Sequence, residues 1–258
     1  MFEWYYSFIF LFIMHTVTGL VISSYLHRSL THKYVIFSTN LQKFCRCWLW
    51  FIGVWEPRIS VKKWAATHRK HHQLSDTVRD PHSPWNHSFF NTLIIMTGKA
   101  DHRSPYVISE QDIKKYAPDV PEFTDKLEDT LIAYRRWPIF LFSGMFLLLF
   151  GIGGLAVGVV GYFLIMVSLL TFNFVTHKYG YQNFENHKRD RSKNLWPIGF
   201  IYIGEEFQNN HHNQPSSIKF SVKWYEFDTC YAFIKILQYF GLAEIINRSD
   251  QPDQKLNE

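Results

Sequence analysis

Apolar residues are concentrated in a few stretches of this chain. From Trp4 to Leu26 the sequence reads WYYSFIFLFIMHTVTGLVISSYL, without one Asp, Glu, Lys or Arg, and a second uncharged block runs from Trp137 to His177. A membrane-crossing helix needs about 20 predominantly apolar residues. The first block therefore predicts one span over roughly 4–24, and the longer block predicts two, over roughly 138–156 and 159–176. Gly151, Gly153, Gly154, Gly158 and Gly161 sit mid-block, where a hairpin would turn. Residues 40–56 are apolar and aromatic but are broken by Lys43 and Arg46 and followed by Pro57, so periodicity alone does not say whether they cross. Residues 58–75 read as a helix, and Ser75–His87 (SDTVRDPHSPWNH) as an irregular segment. Residues 101–136 read as a polar helical layer, and 178–258 as a mixed tail with an amphipathic stretch near 222–243. The fold class expected is an all-α integral membrane protein of one domain, 1–258. It has about three transmembrane helices, an interfacial or re-entrant helix, and a helical cap formed by 25–136 and 177–258.

Composition sharpens this picture. Mean hydropathy is −0.14, too polar for a bundle made only of lipid-buried helices. All 27 Lys and Arg fall in 27–136 and 178–258, which puts both basic regions on one side of three crossings. By the positive-inside rule that side is the cytoplasm, and the N-terminus lies opposite. The first block has no positive n-region and no small-residue cleavage site, so it reads as a retained span rather than a signal peptide. Trp4, Tyr5, Tyr6 and Trp137 suit interfacial belts. A net charge of +5 needs no nucleic acid, because a basic face against lipid head groups accounts for it. Cys45, Cys47 and Cys230 are odd in number and fall in the cap, which argues against a disulfide framework.

The chemistry lies in the histidines, of which there are 13. Three clusters stand out: His27-Arg-Ser-Leu-Thr-His32, His68-Arg-Lys-His71-His72, and Gln208-Asn-Asn-His211-His212. On a helix, positions i, i+3 and i+4 share a face, so His68, His71 and His72 point together, as do Gln208, His211 and His212. Asn173 and His177 are also four apart, at the end of the last span. Imidazole binds Fe, Zn, Cu or Ni. Eight imidazoles converging at one membrane face exceed the needs of a single four-coordinate zinc, so two metals are implied. Convergence also requires that 40–56 dip in or lie along the interface, since a crossing there would separate His27 from His68. Lys43 and Arg46 at mid-bilayer would be costly in any case.

Spelled out, the motifs are H-R-x-x-x-H from His27, W-x-x-x-H-R-x-H-H-x-x-S-D from Trp64, D-P-H-S-P from Asp80, N-x-x-x-H-x-x-G-Y from Asn173, and G-E-x-x-x-N-N-H-H-x-x-P from Gly204. In this order and over nearly the whole chain, they resemble the stearoyl-CoA/delta-9 acyl desaturase family. The resemblance implies two iron ions held by His27, His32, His68, His71, His72, His177, His211 and His212, with Asn173 holding a metal-bound water. It also implies O2 as oxidant and a cis alkene as product. The substrate would be a fatty acyl thioester (acyl-CoA) or an acyl lipid, met at the membrane. Two features depart from the family pattern. Gln208 stands where the family has a ninth histidine; it would bind through its carbonyl oxygen, hold a water, or leave a position open. The additional first span of animal members is missing.

The sequence holds no Gly-rich nucleotide fingerprint, C-x-x-C pairs or H-P-G-G haem motif, so electrons are expected from outside. The donor would be a ferredoxin, a rubredoxin-like protein or cytochrome b5, with its reductase. A hydroxylase on the same scaffold competes with the desaturase reading, and a non-catalytic membrane metal-binding protein competes with both. Asp76, Asp80 and Glu205 lie beside the clusters, where a carboxylate accepts the second N–H of a metal-bound imidazole, or where it caps a helix or a loop. His82, His87, His102 and His187 read as loop or solvent-facing. Arg58, Lys62, Lys63 and Arg69 would meet CoA phosphates or lipid head groups. His15 and Gly19, roughly 18 and 12 Å along a helix before His27, would line a tunnel for the acyl tail. Alternatively, His15 bonds a neighbouring helix.

Overall fold

The computed structural model describes residues 2–54, 61–81, 83–86, 88–91, 108–185, 189–196 and 202–246; Arg58, His82, His87, His102 and His187 lie outside these described residues. The fold is mostly helical. Helix α1 (Tyr6–Val21) runs directly into a π-helix (Ile22–Thr31). Tyr6–Thr31 is long and apolar enough to cross a membrane, and Pro138–Ile165 is of similar length and more apolar but is divided into two arms at Gly151. The outward side of α1 carries Phe8, Ile9, Phe12 and Ile13, and that of the second helix Phe140, Leu141, Leu148, Ile152, Val160, Phe163 and Leu164, all exposed. An apolar surface of this extent is shielded by lipid or by protein, not by water.

The uncharged block from Trp137 forms α6 (Pro138–Thr176), which is broken at Gly151 with φ 70°. That φ is open to glycine and strained for other residues, and there the chain doubles back. Pairs of residues then step in opposite directions along the two arms. The rings of Phe142 and Tyr162 lie 5.5 Å apart, and a Cβ on Gly158 would come within 2.7 Å of the Phe146 Cβ. The reversal thus comes earlier than the expected 156–159. Gly158 serves close packing of the arms rather than the turn.

The start of α1 lies at this turn. The Phe2 amide donates to the Leu149 carbonyl at 2.8 Å, and a Cβ on Gly153 would sit 3.0 Å from that of Trp4. Leu11 meets Gly161 further on, so α1 and the second arm run side by side in the same direction. Their far ends carry His27 and His177.

Strand β1 (Val35–Phe37) pairs antiparallel with β2 (Ala243–Ile245), Val35 opposite Ile245. Helix α2 (Thr39–Phe51) leaves this ribbon and packs along α1, with the Trp48 indole donating to Thr18 Oγ1 at 3.1 Å. Its charge is handled internally. Arg46 is 2% exposed and forks onto Asp125 at 2.7 Å and Glu128 at 2.8 Å, both on α5 (Lys126–Ala133) or its N-cap. Next comes α3 (Val61–Leu74), which carries the second histidine cluster, and α4 (Glu110–Tyr116), started by a capping box between Ser109 and Asp112. Arg69 joins these layers by donating to the carbonyls of Thr31 at 2.8 Å and Tyr116 at 2.9 Å and to Asp119 at 2.5 Å. Its guanidinium is therefore turned inward, not offered to phosphates, and Lys62 pairs with Glu122 at 3.0 Å. The short α7 (Gln208–Asn213) and α8 (Thr229–Tyr239) complete the helices among the described residues.

Candidate metal centre

Four elements bring the histidines together, and each does so through a local conformation. The H-x-x-x-x-H spacing does not fit one face of an α-helix, but it fits the π-helix, whose hydrogen bonds run from i+5 to i. The His32 amide donates to the His27 carbonyl at 3.0 Å, which sets the two rings one turn apart with centroids at 4.8 Å. On α3, His68 and His71 are buried at 4% and 0% exposure. On α7, a single and a half turn of helix suffices to direct Gln208, His211 and His212 inward. His177 caps the C-terminal end of α6.

The imidazoles sort into two neighbouring groups. His27, His32, His68, His72 and His211 form one, and His71, His177 and His212 the other, the ring nitrogens of each group lying within 4.8 Å of one another. His68 Nε2 is 2.9 Å from His27 Nε2, 3.0 Å from His32 Nε2 and 2.9 Å from His72 Nε2, and His27 Nε2 is 3.1 Å from His211 Nε2. A single imidazole nitrogen donates or accepts one hydrogen bond, so hydrogen bonding cannot account for three neighbours around His68. Nitrogens about 2.1 Å from a shared ion and at right angles around it would lie about 3 Å apart. The separations therefore match ligands of a cation. His177 Nε2 is buried without a hydrogen-bond partner, again as a metal ligand would be.

Electrostatics keep the nitrogens available. Burial, and then the neighbouring imidazoles, hold His68, His72 and His211 far below the ordinary histidine range. Burial likewise pushes His212 down, to about 4, against the pull of Asp190. These rings are neutral at pH 7, the form that binds metal.

Carboxylates face the other ring nitrogens. Glu205 lies 2.6 Å from His27 Nδ1, Asp80 2.9 Å from His71 Nδ1, Asp76 2.8 Å from His177 Nδ1, and Asp190 3.3 Å from His212 Nδ1. Such a partner fixes the tautomer and turns Nε2 toward the ion. Burial opposes ionisation of Asp76 and Glu205, but the facing imidazoles, with Arg28 beside Glu205, outweigh it and hold both below the usual range. Local backbone aims these groups. Asp76 takes φ 55° just after α3, and its amide donates to Asp80 Oδ2 at 2.7 Å. Ile203 and Gly204 take φ 61° and 99° in succession before Glu205. A positive φ at a β-branched residue is strained, and here it turns the chain from the core into the metal centre.

Gln208 and Asn173 border the second group. The Gln208 amide nitrogen is 2.9 Å from His212 Nε2 and 3.2 Å from Asn173 Oδ1, while Gln208 Oε1 is buried without a hydrogen-bond partner. His15 Nε2 contacts Ser168 Oγ at 2.9 Å, the inter-helix bond named above. Gly19 faces protein, since a Cβ there would come within 2.6 Å of Ile203.

The sequence model of the fatty acid desaturase family matches residues 2–243. This chain belongs to the fatty acid desaturase family. Two cyanobacterial sn-1 stearoyl-lipid 9-desaturases are similar to it. That of Synechocystis sp. is 30% identical over 91% of this chain and 70% of its own length, and that of Anabaena variabilis 31% over 90% and 80%. An acyl-CoA 5-desaturase of Anemone leveillei is 31% identical over 84% of this chain, which spans 64% of that protein. The chain is thus an oxidoreductase of this family.

Some residues at this desaturase site were not singled out by sequence reasoning. Asp190 lies far from every cluster in sequence, with only its Asp-Arg-Ser context as signal. Asn209 and Asn210 sit inside a quoted motif yet carried no assigned role. Asn209 Oδ1 accepts from the amides of Asn183 at 2.9 Å and Phe184 at 3.0 Å, and Asn210 bonds Glu226 at 3.0 Å and the Phe220 carbonyl at 2.8 Å. They clamp a helix too short to hold its own position.

Proposed function

We propose that this protein is an O2-dependent di-iron desaturase that places a cis double bond in a fatty acyl chain, with the delta-9 position as the favoured site. The observation that carries the reading is the adjacency of the five-imidazole and three-imidazole groups, which gives room for two ions side by side. Asn173 would hold a water at the second ion, and Gln208 would offer its carbonyl oxygen there. The similarity to stearoyl-lipid 9-desaturases supports the position of the double bond, and similarity to acyl-lipid and acyl-CoA desaturases alike supports a fatty acyl substrate on either carrier. Iron, when bound, supplies the activation of O2 and the oxidising power that no side chain has.

The protein's own part is to bind, orient and insulate. Glu205, Asp80, Asp76 and Asp190 hold the imidazoles in the ligating tautomer. Burial keeps water from the reacting centre. The balance is one acyl CH2–CH2, one O2, two electrons and two protons giving one cis CH=CH and two waters. The two electrons come from an external carrier. The metal centre faces the cytoplasm, a reading supported by the fold, which puts the N-terminus and the hairpin turn, both without Lys or Arg, at the opposite end. The test is expression in a host lacking its own desaturase, followed by fatty acid profiling. A monounsaturated product with the double bond nine carbons from the carboxyl is expected. Hydroxylated chains would instead make the protein a hydroxylase, and an unchanged profile with two irons bound would refute the oxygenase reading.

A further inference from the structure

One surface feature of the metal centre has no part in holding metal. Trp85 is 50% exposed, although its indole Nε1 donates to the backbone carbonyl of His177 at 3.3 Å. Two cations flank its ring. The Arg191 guanidinium lies 4.3 Å from the ring centroid and Lys178 Nζ lies 5.7 Å away. Arg191 is exposed. Two short routes connect this patch to His177, one to its backbone and one to its imidazole. One is the indole hydrogen bond to the His177 backbone. The other runs from the Arg191 amide to Asp76 Oδ2 at 2.8 Å, and from Asp76 to His177 Nδ1 at 2.8 Å. The nearby acids are already engaged, Asp76 with His177 and Asp190 with His212. The outward charge of these three residues is therefore positive.

Stacking on two cations secures an indole at a surface, but it does not require water-facing exposure or contact with a metal ligand. Resting on the oxygenase reading above, we propose that Trp85, Lys178 and Arg191 form the docking and entry point for an acidic one-electron carrier protein, which passes electrons through Trp85 to the His177 side of the centre. The carrier is oxidised by one electron in each of two encounters, and the metal centre is reduced by the same amount. No bond at Trp85 is made or broken. Lys178 and Arg191 supply the charge complementarity that steers encounter and holds the carrier, and Trp85 between them supplies the path for the electron.

The test uses the full chain in detergent micelles and, as probe, the acidic soluble haem domain of cytochrome b5. Binding is measured on metal-free protein at low and high salt. Reoxidation of the reduced probe is followed by stopped flow on iron-loaded protein, with dithionite as a small reductant in parallel. The Lys178→Glu/Arg191→Glu variant should weaken probe binding about tenfold at low salt and flatten its salt dependence. Trp85→Leu should bind the probe within about twofold of the parent, yet slow probe reoxidation about tenfold with dithionite reduction unchanged. Iron content equal to the parent's excludes a merely structural effect. Unchanged binding in the charge-reversed protein would overturn the proposal, as would parental reoxidation in Trp85→Leu. If charge reversal instead lowers affinity only for phosphatidylglycerol vesicles, the patch meets head groups and the proposal also fails. Loss of dithionite-driven alkene formation in the parent itself would refute the oxygenase reading and is separate from these outcomes.

Discussion

On the two-ion proposal, Gln208 is the residue that should make the two ions unequally held. The first group offers five imidazoles and the second three. Gln208 is fully buried beside the second, with its amide 2.9 Å from His212 Nε2. The side-chain nitrogen and oxygen can exchange places by rotation. One orientation bridges His212 and Asn173, and the other points the carbonyl oxygen at the three-imidazole group. An amide oxygen is a harder and weaker donor than imidazole for late divalent metals. The ion of the second group should therefore be the weaker-held one. Changes one step removed from a metal alter affinity about 10–100-fold, so a changed ligand should do at least as much. Metal-free protein titrated with Co2+ against a chelator should show two steps separated by about tenfold or more in affinity. Gln208→His should bring the steps together by tightening the second alone. Gln208→Leu, similar in size but without a donor atom, should weaken the second about tenfold. Two equal steps in the parent, unmoved by either substitution, would refute the reasoning and place Gln208 outside the ligand set.

The two groups can also be dissected directly: His72→Ala should lose the first ion and His71→Ala the second, each with loss of desaturation, as read by metal content after gel filtration. Two irons with full turnover in either variant would remove that residue from the site. Asp80→Asn, which keeps the shape but takes the charge from behind His71, should weaken metal binding about 10–100-fold, measured by the same chelator competition. Asp119 bears on acid stability. Burial opposes its charge, yet Arg69 and Lys33 hold its carboxyl down to about 2. Its folded value lies below the unfolded one, so its contribution is complete above about pH 4 and is lost as pH falls toward 2. Thermal unfolding of Asp119→Asn should therefore differ from the parent at pH 6 and converge with it in that acidic window. Topology is checked by cysteine labels, with one before Trp4 expected on the non-cytoplasmic face and one at Ser109 on the cytoplasmic face. A label at 109 found outside would mean that 40–56 crosses.

How much of this was legible in the sequence depended on whether the signal was local. Helical spacing alone puts His68, His71 and His72 on one face, and the structure does bring them together with His211 and His212. The absence of charge in 4–26 and 137–177 marks the two long apolar helices by composition. The place of the hairpin turn was less legible, because five glycines in eleven residues look alike in sequence. Only Gly151 needs a positive φ there, while Gly158 answers to a Phe146 side chain that pattern cannot locate. The H-x-x-x-x-H pair was legible as a motif, but the backbone that aligns it was not. At an α-helical period His27 and His32 diverge, and it takes a π-helix, which no propensity scale reads, to align them. Asp190 shows the limit from another side. It acts on His212 across the fold, and its sequence neighbours, two arginines and then a serine, are what any polar loop contains. The histidines declare themselves because metal binding needs many of one rare kind at fixed spacing. The carboxylates behind them need only to be acidic and close, and closeness is decided by the fold. A residue such as Asp190 becomes visible only when the strained turn at Ile203, the asparagine clamp on α7 and the break after α3 have set the histidines in place around it.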